Sequence, residues 1–134
     1  MDVLTDAQCW DLLGANQIGR LATVVGGGVD IFPVNYLVHE GQILFKTAEG
    51  SKLAGVMAHH EVAFEIDGYN PDTNEAWSVV MSGLARVLSH DEELDAVEHL
   101  PLFPWNLEPK NRYVAIDPTG VSGRRFIAEG RHAD

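Results

Sequence analysis

Apolar residues along this chain follow a two-residue period more often than a helical one, and the changes of period mark the elements. The cleanest alternation is Glu61 to Asp67, where Val62, Phe64 and Ile66 face inward and Glu61, Glu65 and Asp67 outward. Ile18 to Val25 is rich in β-branched residues and closes on Gly26-Gly27-Gly28, so a strand and a turn are expected. Val29 to Val38 is apolar on both faces, which predicts burial on both sides. His39-Glu40-Gly41 then makes a hairpin turn, and Gln42 to Thr47 returns. Trp77 to Ser89 is a long strand interrupted at Gly83, where a bulge or a close approach is expected. Two short strands, Arg112 to Ile116 and Ser122 to Ile127, finish the fold.

Helical spacing takes over in three places. Thr5 with Gln8 forms a capping box, and a short helix follows to about Leu13, stopping at Gly14. From Ser51, the residues Leu53, Val56, Met57 and His60 share one face, and an acidic helix runs from Asp91 to Leu100. Gly68 to Ala76 reads as a polar loop. Pro101, Pro104 and Pro109 punctuate an irregular segment holding Phe103 and Trp105, and the tail from Glu129 frays. About seven strands and three helices, joined mostly by hairpins, predict a mainly β (α+β) fold: an antiparallel barrel with short covering helices.

Composition narrows the function. At 134 residues the chain fits one domain, residues 1–134, and 9 Lys+Arg against 20 Asp+Glu leave a formal charge of −11. Such a surface repels nucleic acid and anionic membranes. Scarce cations also make a local group of them more telling. The opening MDVLTD has an early acid and no basic region, and no apolar run approaches the ~18 residues of a membrane span, so a cytoplasmic protein is expected. The single Cys9 excludes an internal disulfide and is expected to be buried in the first helix.

The chemistry concentrates between Asp30 and Leu53, where a hairpin, a glycine turn and a helix start follow one another. A helix N-terminus offers unpaired N–H groups and a positive dipole end, and Ser51, Lys52, Thr47 and Lys46 add hydroxyls and ammonium groups, a set suited to a phosphate. On spacing alone, Ser51 is equally an ordinary N-cap and the lysines solvated charge. Pro33 marks an edge, a bulge or a gap in the ladder, and Asn35 must find partners if it is buried; equally, the strand is an edge with Asn35 facing solvent. The histidines lack metal spacing: His59 and His60 point ~100° apart on a helix, and His60 reads as a hydrogen-bonded core edge. No side chain is assigned a catalytic role and no metal ligand is expected. Consecutive Arg124 and Arg125 face opposite sides of a strand; one suits an anion and the other an acid, or both are exposed and pair with the acidic surface.

GRLATVV, FPVNYLV, ILFKTAEGSKL, VAFEID, AWSVVMSGLARVL and VSGRRF together resemble the pyridoxamine 5′-phosphate oxidase-like flavoproteins, the nitroimidazole reductase-like members most of all. The resemblance spans Ile18 to Phe126 in consistent order. It implies an FMN-binding antiparallel split β-barrel that forms a homodimer with cofactor at the subunit interface. By analogy, Pro33, Val34, Asn35 and Tyr36 run along the isoalloxazine ring. Phe45, Lys46 and Thr47 line the path to the phosphate, Ser51 and Lys52 hold it, and Trp77 and Ser78 come from the opposite subunit. The apolar Val29–Val38 strand, with Trp77 and Trp105 near loops, points to a dimer independently.

True pyridoxamine phosphate oxidases are longer and carry further basic residues for their substrate phosphate, which this chain lacks. The activity implied is reduction of a small-molecule acceptor or oxygen by a reduced nicotinamide through FMN. The alternatives are a flavin carrier or sensor without turnover, a split barrel holding a deazaflavin coenzyme or haem, or a cofactor-free interaction module.

Overall fold

The computed structural model describes residues 1–48, 60–99 and 111–129. In chain order the elements are β1 (Asp2–Val3), α1 (Asp6–Ala15), β2 (Ile18–Val25), β3 (Gly28–His39), β4 (Gln42–Ala48), β5 (Glu61–Asn70), β6 (Glu75–Val87), α2 (His90–His99) and β7 (Asn111–Ile127). Every pairing is antiparallel, in the order β1-β7-β4-β3-β2-β5-β6. Strand β7 also pairs with β6, so the strands close into a ring. This is the mainly β split barrel expected. The helix expected from Ser51 and the irregular segment around Phe103 and Trp105 lie outside the described residues.

The capping box at the start of α1 is present: Thr5 Oγ1 accepts from Gln8 N at 3.2 Å and Gln8 Oε1 accepts from Thr5 N at 2.8 Å. Ser89 and Glu92 repeat the device at the head of α2. Helix α1 runs through Gly14 to Ala15, and two of its terminal carbonyls find side-chain donors. Asn16 Nδ2 donates to Leu12 O at 2.7 Å, and the Tyr36 hydroxyl donates to Leu13 O at 2.6 Å.

The barrel interior holds Leu21, Ile43, Phe64, Ile66, Val79, Met81, Val114 and Ile116, with Cys9 and Leu13 of α1 sealing one side. Phe64 lies against Gly19, where a Cβ would sit 2.2 Å from its ring, and meets Tyr36 edge-on with centroids 4.9 Å apart. A smaller cluster of Leu44, Leu88, Tyr113 and Ala115 lies outside the main core.

Four sequence expectations need correction. The two short final strands are one continuous β7, because Asp117 to Val121 stays extended against β6. The ladder accommodates this stretch with a register shift between Ser82 and Gly83. A Cβ at Gly83 would lie 2.5 Å from Ile116 Cγ2 and 2.8 Å from Asp117 O, so both the expected bulge and the close approach occur there. The polar loop Gly68–Ala76 shrinks to the turn between Asn70 and Glu75, since cross-strand pairing continues to the Asn70–Glu75 pair. His60 is exposed beside β5, though its Nδ1 stands 3.3 Å from Ala85 O. Finally, β3 is not buried on both faces in the protomer: Val34 and Tyr36 are, while Val29 and Ile31 are each 68% exposed.

Tyr36 provides a test of the inner face. Burial pushes its phenol up to about 12. A raised folded-state pKa means that the neutral phenol's stabilising contribution is intact below the ordinary value of about 10 and is lost as pH rises toward 12. Burial and then Glu93 also push the Tyr113 phenol up, so an ultraviolet titration is expected to show Tyr36 and Tyr113 ionising late, together with loss of fold. Tyr36→Phe reduces the late ionisation by one tyrosine and leaves that of Tyr113; a Tyr36→Phe titration identical to wild type would assign the step elsewhere.

Candidate functional site

Strand β3 changes partners along its length. Residues Tyr36 to His39 pair with β4, whereas Gly28 to Asn35 pair with β2 on the opposite edge. Past the Tyr36–Phe45 pair the two strands part: β4 carries on along β7 through Lys46, Thr47 and Ala48. The barrel is therefore split between Pro33–Asn35 on one lip and Lys46–Thr47 on the other.

Backbone direction equips that opening. Tyr36 N donates to Gln17 O at 2.9 Å, toward β2, so the alternation of an antiparallel strand turns Asn35 the other way: its C=O closes the Tyr36–Phe45 pairing by accepting from Lys46 N, and its N–H faces the edge β4 leaves. Pro33, with no N–H, leaves its carbonyl on that same edge. This strand edge has the donors and acceptors to meet the polar rim of a flat ring, and the half-buried Lys46 stands on the facing strand.

The structure divides the expected site residues. Pro33 and Asn35 project to the exposed outer face of β3; Val34, Tyr36 and Phe45 project into the core, at 8%, 4% and 3% exposure. Their backbone polar groups turn away from the split, toward β2 for Val34 and Tyr36 and toward β7 for Phe45, so their part is to fill the core behind it. The backbone of Thr47 pairs with Arg112. Ser51 and Lys52 lie outside the described residues. Trp77 and Ser78, being adjacent, face opposite ways: Trp77 pairs with Gly68 on the inner face, and Ser78 stands between Asp67 and Arg124 on the outer one. Within one protomer, Ser78 is separated from Asn35 by β2 and β5, about 14 Å at ordinary strand spacing.

Sequence reasoning marked only the apolar Val29–Val38 strand of the outer face that β2, β3, β5 and β6 build together. Ile18, Val29, Ile31, Val80 and Leu84 are 41–68% exposed there. Among them Arg20 shares its guanidinium between Glu65 Oε1 at 3.2 Å and Asp67 Oδ2 at 2.9 Å. Burial and then the neighbouring Asp67 hold the Glu65 carboxyl above its usual range, against the pull of Arg20. Only the register, which sets Arg20 opposite Glu65, reveals this trio. Arg125 is the arginine that meets an acid, with its Nε 3.2 Å from Glu75 Oε1, and Arg124 is exposed. Among the described residues no three His, Cys, Asp or Glu side chains converge as metal ligands, and no helix is long and apolar enough to cross a membrane.

A split antiparallel barrel with an open strand edge defines a class of proteins, and comparison with known sequences agrees. The sequence pattern of the pyridoxamine 5′-phosphate oxidase family matches residues 5–125, and the chain belongs to that family. The chain is 37% identical to the FAD binding protein from Mycobacterium smegmatis, with a TM-score of 0.76 over 93% of this chain and 99% of that one. It is 31% identical to a Corynebacterium glutamicum protein described as a pyridoxamine 5′-phosphate oxidase, with a TM-score of 0.76 over 96% of this chain and 95% of that one. An uncharacterized Mycobacterium tuberculosis protein, Rv0080, is 33% identical over 129 residues, covering 90% of this chain and 82% of the relative.

Proposed function

We propose that this protein is a flavin-dependent oxidoreductase, with FMN seated at the split between β3 and β4 and a reduced nicotinamide as electron donor. The observation that carries the reading is the strand edge of Pro33 and Asn35, turned away from β2 where β4 departs. The M. smegmatis relative, an FAD binding protein, supports a flavin, and FMN is the part of FAD that such an edge would contact.

The donor set fits. Asn35 offers its main-chain N–H and Pro33 its C=O to the ring's polar rim, while Lys46, with Ser51 and Lys52 at the predicted helix start, suits a phosphate. A bound flavin supplies the hydride and electron chemistry; the residues of this chain bind it, orient it and exclude water. The described residues of the split supply no pair for general acid–base work, and none is needed for that role.

The proposed unit is a homodimer in the cytoplasm. The exposed apolar outer face is the surface to be covered, and a second copy packed on it would bring Ser78, which shares that face, toward the site, while Trp77 faces the other way.

The test is the visible spectrum of the purified protein, before and after FMN is added and the excess removed. Bands near ~370 and ~450 nm are expected to stay with the protein and to bleach when reduced nicotinamide is supplied. Lys52→Ala is expected to weaken flavin retention roughly 10- to 100-fold through loss of one charge-assisted phosphate contact. A protein that retains neither native nor added FMN would overturn the reading.

A further inference from the structure

At the tip of the β5–β6 hairpin is a pocket of about 470 Å³, lined by Gly68, Tyr69, Asn70, Thr73, Glu75 and Trp77. Gly68 and Trp77 are cross-strand partners, as are Asn70 and Glu75, and the two-residue period puts all four on one face. A Cβ on Gly68 would lie 2.5–2.7 Å from Nε1, Cε2 and Cζ2 of Trp77, so the indole is seated on bare backbone and contributes a half-buried aromatic surface to the pocket.

The polar groups beside that ring are held in fixed roles. Asn70 Oδ1 accepts from Asp72 N at 2.9 Å, which leaves the Asn70 NH₂ as the donor. Glu75 Oε1 is ion-paired with Arg125 Nε at 3.2 Å without a hydrogen bond between them, and an ionised carboxylate only accepts. The turn itself is braced by Tyr69 OH donating to Asn74 Oδ1 at 2.9 Å, Glu75 N to Thr73 Oγ1 at 3.3 Å and Ala128 N to Asn74 O at 2.7 Å. A stacking platform thus carries one donor and one acceptor on directly opposed residues.

We propose that this pocket binds adenine. A flat purine matches the indole, its exocyclic amine donates to Glu75, and the adjacent ring nitrogen accepts from Asn70, the pairing of an amino donor with a lone pair that adenine's edges present. The adenine belongs either to a nicotinamide dinucleotide serving as reductant or to FAD serving as cofactor. The site stands independently of the flavin reading, because free adenosine tests it.

Calorimetric titration of the full chain with adenosine is expected to show binding, and purine riboside, which lacks the amine, should bind at least about tenfold more weakly. Asn70→Asp keeps the acceptor for Asp72 N and removes the donor, so adenosine affinity should fall about tenfold with the unfolding midpoint retained. If the adenine comes from the reductant, Asn70→Asp raises KM for the reduced dinucleotide and leaves the FAD-to-FMN affinity ratio unchanged. If it comes from the cofactor, the same change erases a preference for FAD over FMN. Absence of adenosine binding at millimolar concentration, or equal affinity for adenosine and purine riboside, overturns the proposal while leaving the flavin reading untouched.

Discussion

Replacing Phe64 by alanine is expected to cost about 3–5 kcal/mol of folding free energy, a large share of the ~5–15 kcal/mol typical of a single domain. Phe64 is fully buried at the middle of the barrel, where its ring lies on Gly19 and meets Tyr36 edge-on. Removing the ring leaves a cavity bounded by strands β2, β3 and β5, whose ladders prevent collapse onto the space. Urea unfolding should show the midpoint falling with little change in slope, and Phe64→Leu, which keeps most of the volume, should lose far less. A Phe64→Ala midpoint equal to wild type would mean that the barrel core is not packed as described. Gly19→Ala attacks the same contact from the other side, because its Cβ would sit 2.2 Å from Phe64 Cζ.

The second large effect is expected at the outer face. Ile31 is 68% exposed, pairs with Ala22, and lies on the same face as Ile18, Arg20 and Val80. In the protomer Ile31→Asp touches little and should leave the unfolding midpoint nearly unchanged. In the proposed dimer it would bury a carboxylate with no partner, beside a trio of Arg20, Glu65 and Asp67 that already carries an excess negative charge. Such a penalty, about 2–5 kcal/mol, weakens association roughly 30- to 5,000-fold. Sedimentation should show wild type as a dimer and Ile31→Asp as a monomer at micromolar concentration, and flavin retention should fall with it. A monomeric wild type, or a variant that dimerises as before, would remove the interface as drawn.

The elements most legible in the sequence were those written in local chemistry. Thr5 and Gln8 announced the first helix, and the alternation around Phe64 announced β5. Gly83 signalled the bulge because only a residue without a side chain tolerates Ile116 and Asp117 so close. Pro33 signalled an interruption in pairing, and β4 leaves β3 just there. What escaped were features that depend on distant partners. The stretch between Ile116 and Ser122 read as a break between two strands, yet β6 holds it extended. Gly68 read as a loop residue, yet its lack of a Cβ is what seats Trp77.

By itself, then, the sequence determined a mainly β chain, the positions of most strands, the buried set around Phe64, and a group of phosphate-suited residues near a strand that proline interrupts. These follow from periodicity and from the backbone limits of single residues, which act over a few positions. Tertiary structure alone decided which strand lies beside which, and therefore which faces are covered. Val29 and Ile31 are as apolar as Val34 and Tyr36, but only the second pair found a core to enter. Register likewise joined Arg20 to Glu65 and Asp67, and set Asn70 across from Glu75 beside Trp77, across separations that no local pattern spans.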